Sequence, residues 1–444
     1  MDLTDKKVLV IGLARTGGEC ASFLARQGAR VSVSDLRGAD ALKPEMDALA
    51  GLPISFRLGG EETSWLDTMD YVVPSPGVPM DNLMLREAVT RRIPVFSEIE
   101  LAYQFFRAPL IAITGTNGKS TTTTLIGAML KAEGKKTFLG GNLGAPFIGA
   151  VADDWDWGVV EISSFQLDWV ETFKPRIALL LNVSEDHLDR YASFADYRYA
   201  KERIFAAQSG DDVAILNRDD DFVWALRDQV KARAVSFGFM PVAEGVFATD
   251  DEIYWRAAGS EERFSLTSVK LQGVHNIENM MAAVAAAKCA GVSRRAIEQT
   301  LEEFPGLEHR LEFVREKDGV RYYNDSKGTN VGAVVKSLAS FSAPVILLAG
   351  GVDKGGEYAP LANGVAKTVR RLILFGAAKQ TIADALGHLT TTVMVDDIGA
   401  AVRDAAAHGQ AGDVVLLSPA CSSFDQFRNY AERGKIFKAR VREL

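Results

Sequence analysis

A short glycine-rich segment carries the residues most able to do chemistry in this chain. Gly115 to Ser120 (GTNGKS) follows an apolar run and opens a stretch rich in threonine. In a strand–loop–helix of this kind, backbone amides face phosphate groups, lysine reaches the β and γ phosphates, and serine can hold Mg²⁺. The segment therefore predicts a nucleoside triphosphate site. The usual pattern has glycine at the position of Ile113, so an ordinary strand-to-helix turn is the alternative.

Three polar residues downstream are further candidates for chemistry. Glu161 ends an apolar run, His187 lies in an acidic turn after another, and Lys201 lies in a helical stretch over 197–205. A carboxylate at the carboxyl end of a strand beside a phosphate loop is well placed to hold Mg²⁺. Each residue also has an ordinary interpretation, namely a solvated strand end, a capping histidine and a solvated helix face.

Two other segments suggest competing functions. Gly12 to Gly17 (GLARTG) follows a strand, and Asp35 comes about twenty residues later, as in dinucleotide-binding turns, although the middle glycine of that fingerprint is missing. An NAD-dependent dehydrogenase is therefore one alternative. The segment 217–220 (NRDD) nearly matches a guanine-reading Asn-Lys-x-Asp, with arginine in the lysine position. This leaves a nucleotide-dependent switch as a second alternative, and we favour ATP over GTP.

The elements that must position these residues form three series of alternating strands and helices. Such alternation predicts α/β domains with parallel sheets and crossover helices. Antiparallel strands are expected between 239 and 271, followed by an alanine-rich helix over 276–290. The predicted strands lie at 8–12, 31–35, 71–77, 93–97, 109–114, 158–163, 177–182, 320–326, 344–351, 370–376 and 413–419.

We therefore predict an α/β protein of three domains. The first, 1–97, is Rossmann-like. The second, 98–306, is a P-loop-type ATPase domain with a mostly parallel sheet plus a small antiparallel sheet. The third, 307–444, is again Rossmann-like and begins after the Pro305-Gly306 breaker.

Composition excludes several classes of protein. Of 444 residues, 58 are acidic and 50 basic, and the net charge of −8 argues against a general nucleic-acid binder. The three cysteines are far apart and lack Cys-x-x-Cys spacing, so neither a disulfide framework nor a zinc knuckle is indicated, and a reducing compartment is favoured. The first twelve residues contain only five consecutive apolar ones, too few for a signal peptide or membrane span. We therefore expect a cytoplasmic protein.

Five sequence blocks resemble the Mur ligase superfamily, the ATP-dependent amide-forming enzymes of peptidoglycan precursor synthesis and their folate relatives. The blocks are TGTNGKS (114–120), EISSFQL (161–167), NVSEDHLD (182–189), YRYAK (197–201) and NDSKGT (324–329). The SSFQL block, SPACSSFDQF (418–427) and about one hundred residues before the ATP loop indicate the member that adds D-glutamate to UDP-N-acetylmuramoyl-L-alanine. A DNPR-type motif of the diaminopimelate-adding relatives is not found. Another amide-forming member of the family remains the alternative.

The resemblance implies a set of roles for the nucleotide site. It implies that Lys201 carries a carbamate, which requires a neutral amine and hence a lowered pKa. The implied catalytic residues are Lys119, Glu161, His187 and Lys201. The implied ligands of two Mg²⁺ ions are Ser120, Glu161, His187 and Lys201. The implied ATP-binding residues are Gly115, Thr116, Asn117, Gly118, Lys119, Ser120, Thr121, Thr122, Asn276, Arg310 and Asp325.

It also implies the two other substrate sites. The UDP-sugar would meet Gly12, Thr16, Asp35, Arg37, Ser75, Asn142, Ser163 and His187. D-Glutamate, which carries two carboxylates, would meet Lys327, Thr329, Lys354, Ser423, Phe424 and Tyr430. Whether Asp353 contacts substrate is left open by the GGVDKG sequence around it.

The implied reaction joins an acid to an amine. The alanyl carboxylate attacks the γ-phosphorus of ATP, and D-glutamate then attacks the resulting acyl phosphate, leaving ADP and phosphate. This would be a cytoplasmic step of cell-wall biogenesis, and so of cell shape, cell division and the cell cycle. We expect a monomer with no nucleic-acid partner and no membrane span.

Overall fold

The chain folds into two compact units. A computed structural model describes residues 1–186, 190–271, 273–353, 355 and 357–444. The first unit comprises Met1–Thr267 and Asn279–Leu301, and the second Ser268–Glu278 and Glu302–Leu444. None of the helices in these described ranges is long and apolar enough to cross a bilayer.

The first sheet of the first unit is a four-stranded parallel sheet of Rossmann-like order, β3-β2-β1-β4. Its strands are β1 (Lys7–Ile11), β2 (Arg30–Asp35), β3 (Ile54–Leu58) and β4 (Tyr71–Pro74). Its helices are α1 (Arg15–Arg26), α2 (Lys43–Ala48) and α3 (Leu83–Thr90). The strand predicted at 93–97 is wrong, because this segment forms only an isolated bridge between Val95 and Val72. Pro94 has no N–H to donate to a ladder.

The second sheet of the first unit has nine strands in the order β13-β12-β11-β10-β9-β8-β5-β7-β6. The antiparallel strands β12 and β13 continue the edge of the parallel part. The strands are β5 (Leu110–Thr114), β6 (Thr137–Gly141), β7 (Trp157–Glu161), β8 (Ile177–Leu180), β9 (Val213–Asn217), β10 (Arg233–Gly238), β11 (Gly245–Ala248), β12 (Glu252–Ala257) and β13 (Ser260–Ser265). The helices that follow the first sheet are α4 (Glu98–Tyr103), α5 (Lys119–Ala132), α6 (Ser164–Leu167), α7 (Phe194–Glu202), α8 (Asp221–Ala225), α9 (Val274–Cys289) and α10 (Arg294–Glu303).

The central position of β5 explains why the glycine loop can gather partners. Strand β5 lies between β7 and β8, all three are parallel, and all residues of β5 are buried. Their carboxyl ends therefore meet at one edge of the sheet, where open α/β sheets place ligands.

The sheet of the second unit has six strands in the order β14-β15-β19-β16-β17-β18. All neighbours are parallel except the edge strand β14, which pairs antiparallel with β15. The strands are β14 (Glu312–Lys317), β15 (Val320–Asn324), β16 (Val345–Gly350), β17 (Val369–Phe375), β18 (Thr391–Met394) and β19 (Val414–Leu417). The helices are α11 (Val331–Leu338), α12 (Ala362–Thr368), α13 (Lys379–Leu386), α14 (Ile398–His408) and α15 (Tyr430–Glu443).

Candidate active site

The loop between β5 and α5 presents the start of a helix without a side-chain cap. Gly118 occupies the N-cap position with φ of +89°, and because glycine has no side chain it cannot cap the helix with one. A Cβ at this position would overlap the Oδ1 atom of Asn279, so the backbone conformation and the packing both require glycine. An uncapped helix N-terminus next to a lysine is suited to a phosphate group.

The end of the neighbouring strand braces this loop. The carbonyl of Asn182 accepts from the amide of Thr116 at 2.9 Å, and its side-chain oxygen accepts from the amide of Asn117 at 2.8 Å. The Thr116 hydroxyl lies 3.1 Å from the hydroxyl of Tyr197 on α7. Sequence reasoning assigned no role to Asn182 or Tyr197, although both lie within the blocks that carry the family resemblance.

Two lysines converge on the loop. The Nζ atom of Lys119 donates to the carbonyls of Gly115 at 2.8 Å and Thr116 at 2.9 Å, and the Nζ atom of Lys201 donates to Gly115 at 2.9 Å. The Lys201 side chain lies over the ring of Tyr197. Burial, and then the charge of Lys119, lower the pKa of Lys201 well below its ordinary value. This environment favours a neutral amine, the form that reacts with CO₂.

Glu161 reaches the same edge of the sheet. Strand β7 pairs with β5 so that Glu161 lies opposite Ile113, just before the loop, and the residue is only 3% exposed. Its carboxylate accepts a hydrogen bond from the Nδ2 atom of Asn142 at 2.8 Å. A buried carboxylate at the edge of the sheet from which α5 begins is the kind of oxygen ligand that Mg²⁺ prefers. His187, the third residue expected here, lies outside the described residues.

A cleft of about 430 Å³ lies between the two sheets of the first unit. Five residues predicted to meet the UDP-sugar line it, namely Gly12, Thr16, Asp35, Ser75 and Asn142. Two others do not line it but bond to residues that do. Arg37 pairs with Asp35 at 2.8 Å, and Ser163 donates to Gln166 through its amide and hydroxyl, each at 3.1 Å.

Asp35 supports the first glycine loop. Its carboxylate pairs with Arg37 and accepts from the amide of Leu13 at 2.8 Å, and these donors, Arg37 foremost, lower its pKa to about 2. The Ser75 hydroxyl donates to the carbonyl of Gly12 at 2.7 Å. The carboxylate of Asp35 thus stays ionised and holds the loop that opens onto the cleft.

In the second unit, the carboxyl ends of β15, β16 and β19 are joined by a fully buried arginine. Arg433 donates to the carbonyls of Ser326 at 2.9 Å, Cys421 at 3.2 Å and Gly350 at 3.4 Å. Sequence reasoning missed this residue, because an arginine in a charged terminal helix has the pattern of a solvent-facing residue. It holds together the three loops that carry the residues expected to meet D-glutamate.

The described residues expected to meet D-glutamate lie on the loop after β15, on the segment between β19 and α15, and at the start of α15. Lys327 lies over the ring of Tyr430 at 5.4 Å. Ser423 is buried, and Phe424 beside it is 73% exposed. Thr329 follows Lys327 on the loop after β15, whereas Lys354 lies outside the described residues.

Asp353 has partners of its own in the second unit. Its Oδ1 atom accepts from the hydroxyl of Tyr358 and the amide of Gly355, both at 3.1 Å. These bonds give Asp353 a role in shaping the turn after β16.

The residues expected to meet adenine and ribose lie in the second unit. The Asp325 carboxylate is buried and accepts from the hydroxyls of Ser337 and Ser418, each at 2.7 Å, and burial raises its pKa to about 6. Arg310 lies close enough to lower that pKa in part. Asn276, near the start of α9, is also buried.

Comparison with known proteins covers the chain from end to end. The family models that match are the Mur ligase MurD-like N-terminal domain (6–97), the Mur ligase middle domain (113–287) and the Mur ligase glutamate ligase domain (309–421). The UDP-N-acetylmuramoylalanine–D-glutamate ligases of Geotalea uraniireducens and Geotalea daltonii are 52% and 50% identical to it, over 100% of this chain and 99% of theirs.

Solved structures share the fold at lower identity. The UDP-N-acetylmuramate-alanine ligase of Thermotoga maritima has a TM-score of 0.62 at 19% identity, over 98% of this chain and 99% of that one. A pseudomurein peptide ligase from Methanothermus fervidus has the same TM-score and identity, over 93% and 96%. These likenesses support the three-domain α/β architecture.

Proposed function

The chain belongs to the Mur ligase family, and from this premise we propose that it joins D-glutamate to UDP-N-acetylmuramoyl-L-alanine at the expense of ATP. The observation that carries the proposal is the pair of phosphate-suited loops in one unit. One is the lysine-bearing loop at 115–120, and the other, at 12–17, opens onto a cleft of about 430 Å³. This reaction is a step of peptidoglycan precursor synthesis, which we place in the cytoplasm.

The loop after β5 would bind the triphosphate. The start of α5 lacks a side-chain cap, so its amides are suited to phosphate oxygens. Lys119 lies against the loop's own carbonyls, and its ammonium can offset the charge that builds up as the alanyl carboxylate attacks the γ-phosphorus. An oxygen of that carboxylate becomes the bridging oxygen of an acyl phosphate, and ADP leaves.

Magnesium and a carbamate fit the residues beside this loop. Glu161 and Ser120 are both buried and offer oxygen ligands, and Mg²⁺ bound there would neutralise phosphate charge. Lys201 is a buried amine whose environment favours the neutral form, so it fits a lysine that takes up CO₂. We propose His187 as a further metal ligand from the family resemblance.

The second unit would supply D-glutamate. Lys327, Thr329, Lys354, Ser423, Phe424 and Tyr430 are proposed to hold its carboxylates, with Arg433 fixing the loops that carry them. The amino group of D-glutamate then attacks the acyl carbon, a proton leaves the nitrogen, and phosphate is expelled as the amide forms. Asn276, Arg310 and Asp325 are proposed to meet the adenosine part of ATP, and the protein is proposed to act as a monomer.

The mass of the product tests this function. The full chain is incubated with ATP, Mg²⁺ and UDP-N-acetylmuramoyl-L-alanine, together with D-glutamate, L-glutamate or meso-diaminopimelate in parallel reactions. We expect a new nucleotide-linked product, heavier by one glutamyl residue, only with D-glutamate. A product with another amino acid would indicate a different member of the family, and ATP turnover that needs neither small substrate would indicate a nucleotide switch.

A further inference from the structure

A buried carboxylate that the mechanism does not use lies at the start of α4. Glu98 is 1% exposed, and one of its oxygens, Oε1, accepts from the amide of Ile148 at 2.7 Å. The other oxygen, Oε2, is buried and makes no hydrogen bond to the described part of the chain. Burial raises the pKa of Glu98 to about 7, and the amides of Ile148 and Phe147, followed by the side chain of Gln166, oppose that rise.

Its neighbour on the same helix shows what a purely structural carboxylate looks like. Glu100 is equally buried, and its two oxygens accept from the amides of Glu171, Thr172 and Phe173 at 2.9–3.1 Å. Glu100 thereby caps the turn that follows α6. A buried carboxylate with an oxygen left over costs stability that Glu100 does not cost.

Glu98 lies one layer behind the cleft proposed for the UDP-sugar. Ile148 belongs to a short helical turn, Phe147–Ala150, that directly follows Pro146, and Pro146 lines the cleft. Gln166 also lines the cleft, and its side-chain oxygen accepts from the amide and hydroxyl of Ser163. Because this oxygen is occupied, Gln166 is left with its NH₂ group to offer to Glu98.

We propose that Glu98 is a positioning residue for the UDP-sugar, whose carboxylate holds Gln166 and the turn after Pro146 in the arrangement that lines the cleft. The inference rests on the proposed function, because it requires the UDP-sugar to occupy this cleft. It adds a residue outside the cleft that acts on substrate only through others. The unsatisfied oxygen is the cost of keeping a negative charge behind the cleft wall.

Glu98→Gln isolates this role. The amide keeps an oxygen for Ile148 but removes the negative charge that attracts the NH₂ group of Gln166. We expect the Kd for UDP-N-acetylmuramoyl-L-alanine, measured by calorimetry at about pH 8.5, where Glu98 is ionised, to rise about tenfold, the size of one weakened hydrogen bond to a charged group. The KM values for ATP and D-glutamate should stay the same, and Tm should not fall, because a buried charge has been removed.

Glu100→Gln is the matched control, with the same substitution at the same burial on the same helix. It should lower Tm and leave the Kd for the UDP-sugar unchanged. A double-mutant cycle with Gln166→Ala adds a readout that a general packing defect would not move, because the effect of Glu98→Gln should largely vanish when Gln166 is absent.

Each outcome bears on one claim. An unchanged Kd in Glu98→Gln, or an equal weakening of all three substrates, overturns the positioning role, as does full additivity with Gln166→Ala. Failure of the wild-type chain to bind the UDP-sugar overturns the proposed function instead. If Glu98→Gln does not fold, Glu98→Asp, which keeps the charge but withdraws it by one methylene, must show the same selective loss.

Discussion

The two glycine loops of the first unit share a local architecture but differ in chemistry. Each follows a parallel strand and opens a helix, and each carries glycines at positive φ, such as Gly12 at +88° and Gly118 at +89°. The loop after β5 has Lys119 folded onto it and Lys201 behind it. The loop after β1 has no lysine; its one cation, Arg15, lines the cleft, and the loop is held by the ionised Asp35.

This difference matches two tasks for a phosphate site. A phosphoryl group that is transferred develops charge in the transition state, so cations that stay in place are needed. A diphosphate that only anchors a substrate needs backbone amides and a helix N-terminus. The loop after β1 therefore suits substrate binding, and the loop after β5 suits catalysis.

Removing Lys119 from the loop after β5 should have the largest effect on activity. We expect Lys119→Ala to lower kcat by about 10²–10³-fold, because the γ-phosphoryl charge loses a fixed partner. UDP-sugar binding, measured by calorimetry, should not change. Lys131→Ala, at an exposed position on the same helix, is the control and should be silent. An equal loss of UDP-sugar affinity in Lys119→Ala would remove the distinction between the loops.

The second lysine at this loop, Lys201, can be tested by chemical rescue. Lys201→Ala should lose most activity, and high concentrations of a small carboxylate such as formate should restore part of it, because the side chain is proposed to carry a carboxyl group. Rates with formate are compared with rates at equal chloride concentration. Full activity of Lys201→Ala in plain buffer would reject the carbamate.

A glycine pair in the first loop gives a matched test of the binding role. A Cβ on Gly17 would overlap the carbonyl of Gly12, whereas a Cβ on Gly18 would meet nothing within 4 Å. Gly17→Ala should cost about 1–3 kcal/mol of stability and raise the KM for the UDP-sugar, with the KM for ATP unchanged. Gly18→Ala should leave both KM values as they are. A shift in the KM for ATP with Gly17→Ala would contradict the separation of tasks.

The smallest expected effect concerns pH. The pKa of Asp35 is about 2 in the folded chain, against an ordinary value of 3.8, so its pairing with Arg37 stabilises the fold above pH 3.8 and is lost as the pH falls towards 2. Because Arg37 is about half exposed, the contribution should stay below about 1 kcal/mol. Comparing acid unfolding of wild type and Asp35→Asn measures it. Identical acid midpoints would show that the pair contributes nothing.

Much of the fold was predictable because buried parallel strands leave long apolar runs. The strands around the second loop lie within a few residues of their predicted positions, since β-branched runs bounded by glycine and polar residues have few alternatives. The edge strands β14 and β18 were not predicted, and they carry mixed polar patterns. Strands β3, β6, β9 and β10 were missed as well, although β9 is an inner strand whose residues are all buried. The segment 93–97 did not form the predicted strand, because Pro94 lacks the N–H that a strand ladder needs, despite the apolar residues around it.

The candidate site was predictable only where a residue type is distinctive. Gly118 and Lys119, with an apolar strand before them and a helix after them, predict a phosphate loop from the sequence, whereas Asn182 and Arg433 act through hydrogen bonds that depend on which strands become neighbours. Glu98 is the extreme case. Its sequence context at the start of a helix suggests a solvated residue, and only the tertiary fold places it behind the cleft.

The central claim is that the triphosphate in the second loop activates the alanyl carboxylate before the amine attacks. UDP-N-acetylmuramoyl-L-alanine labelled with ¹⁸O in that carboxylate, turned over with ATP and D-glutamate, tests it most directly. We predict that the released phosphate carries one ¹⁸O atom, because the oxygen that attacks phosphorus leaves with it. Phosphate free of label, with the amide formed all the same, would contradict the account.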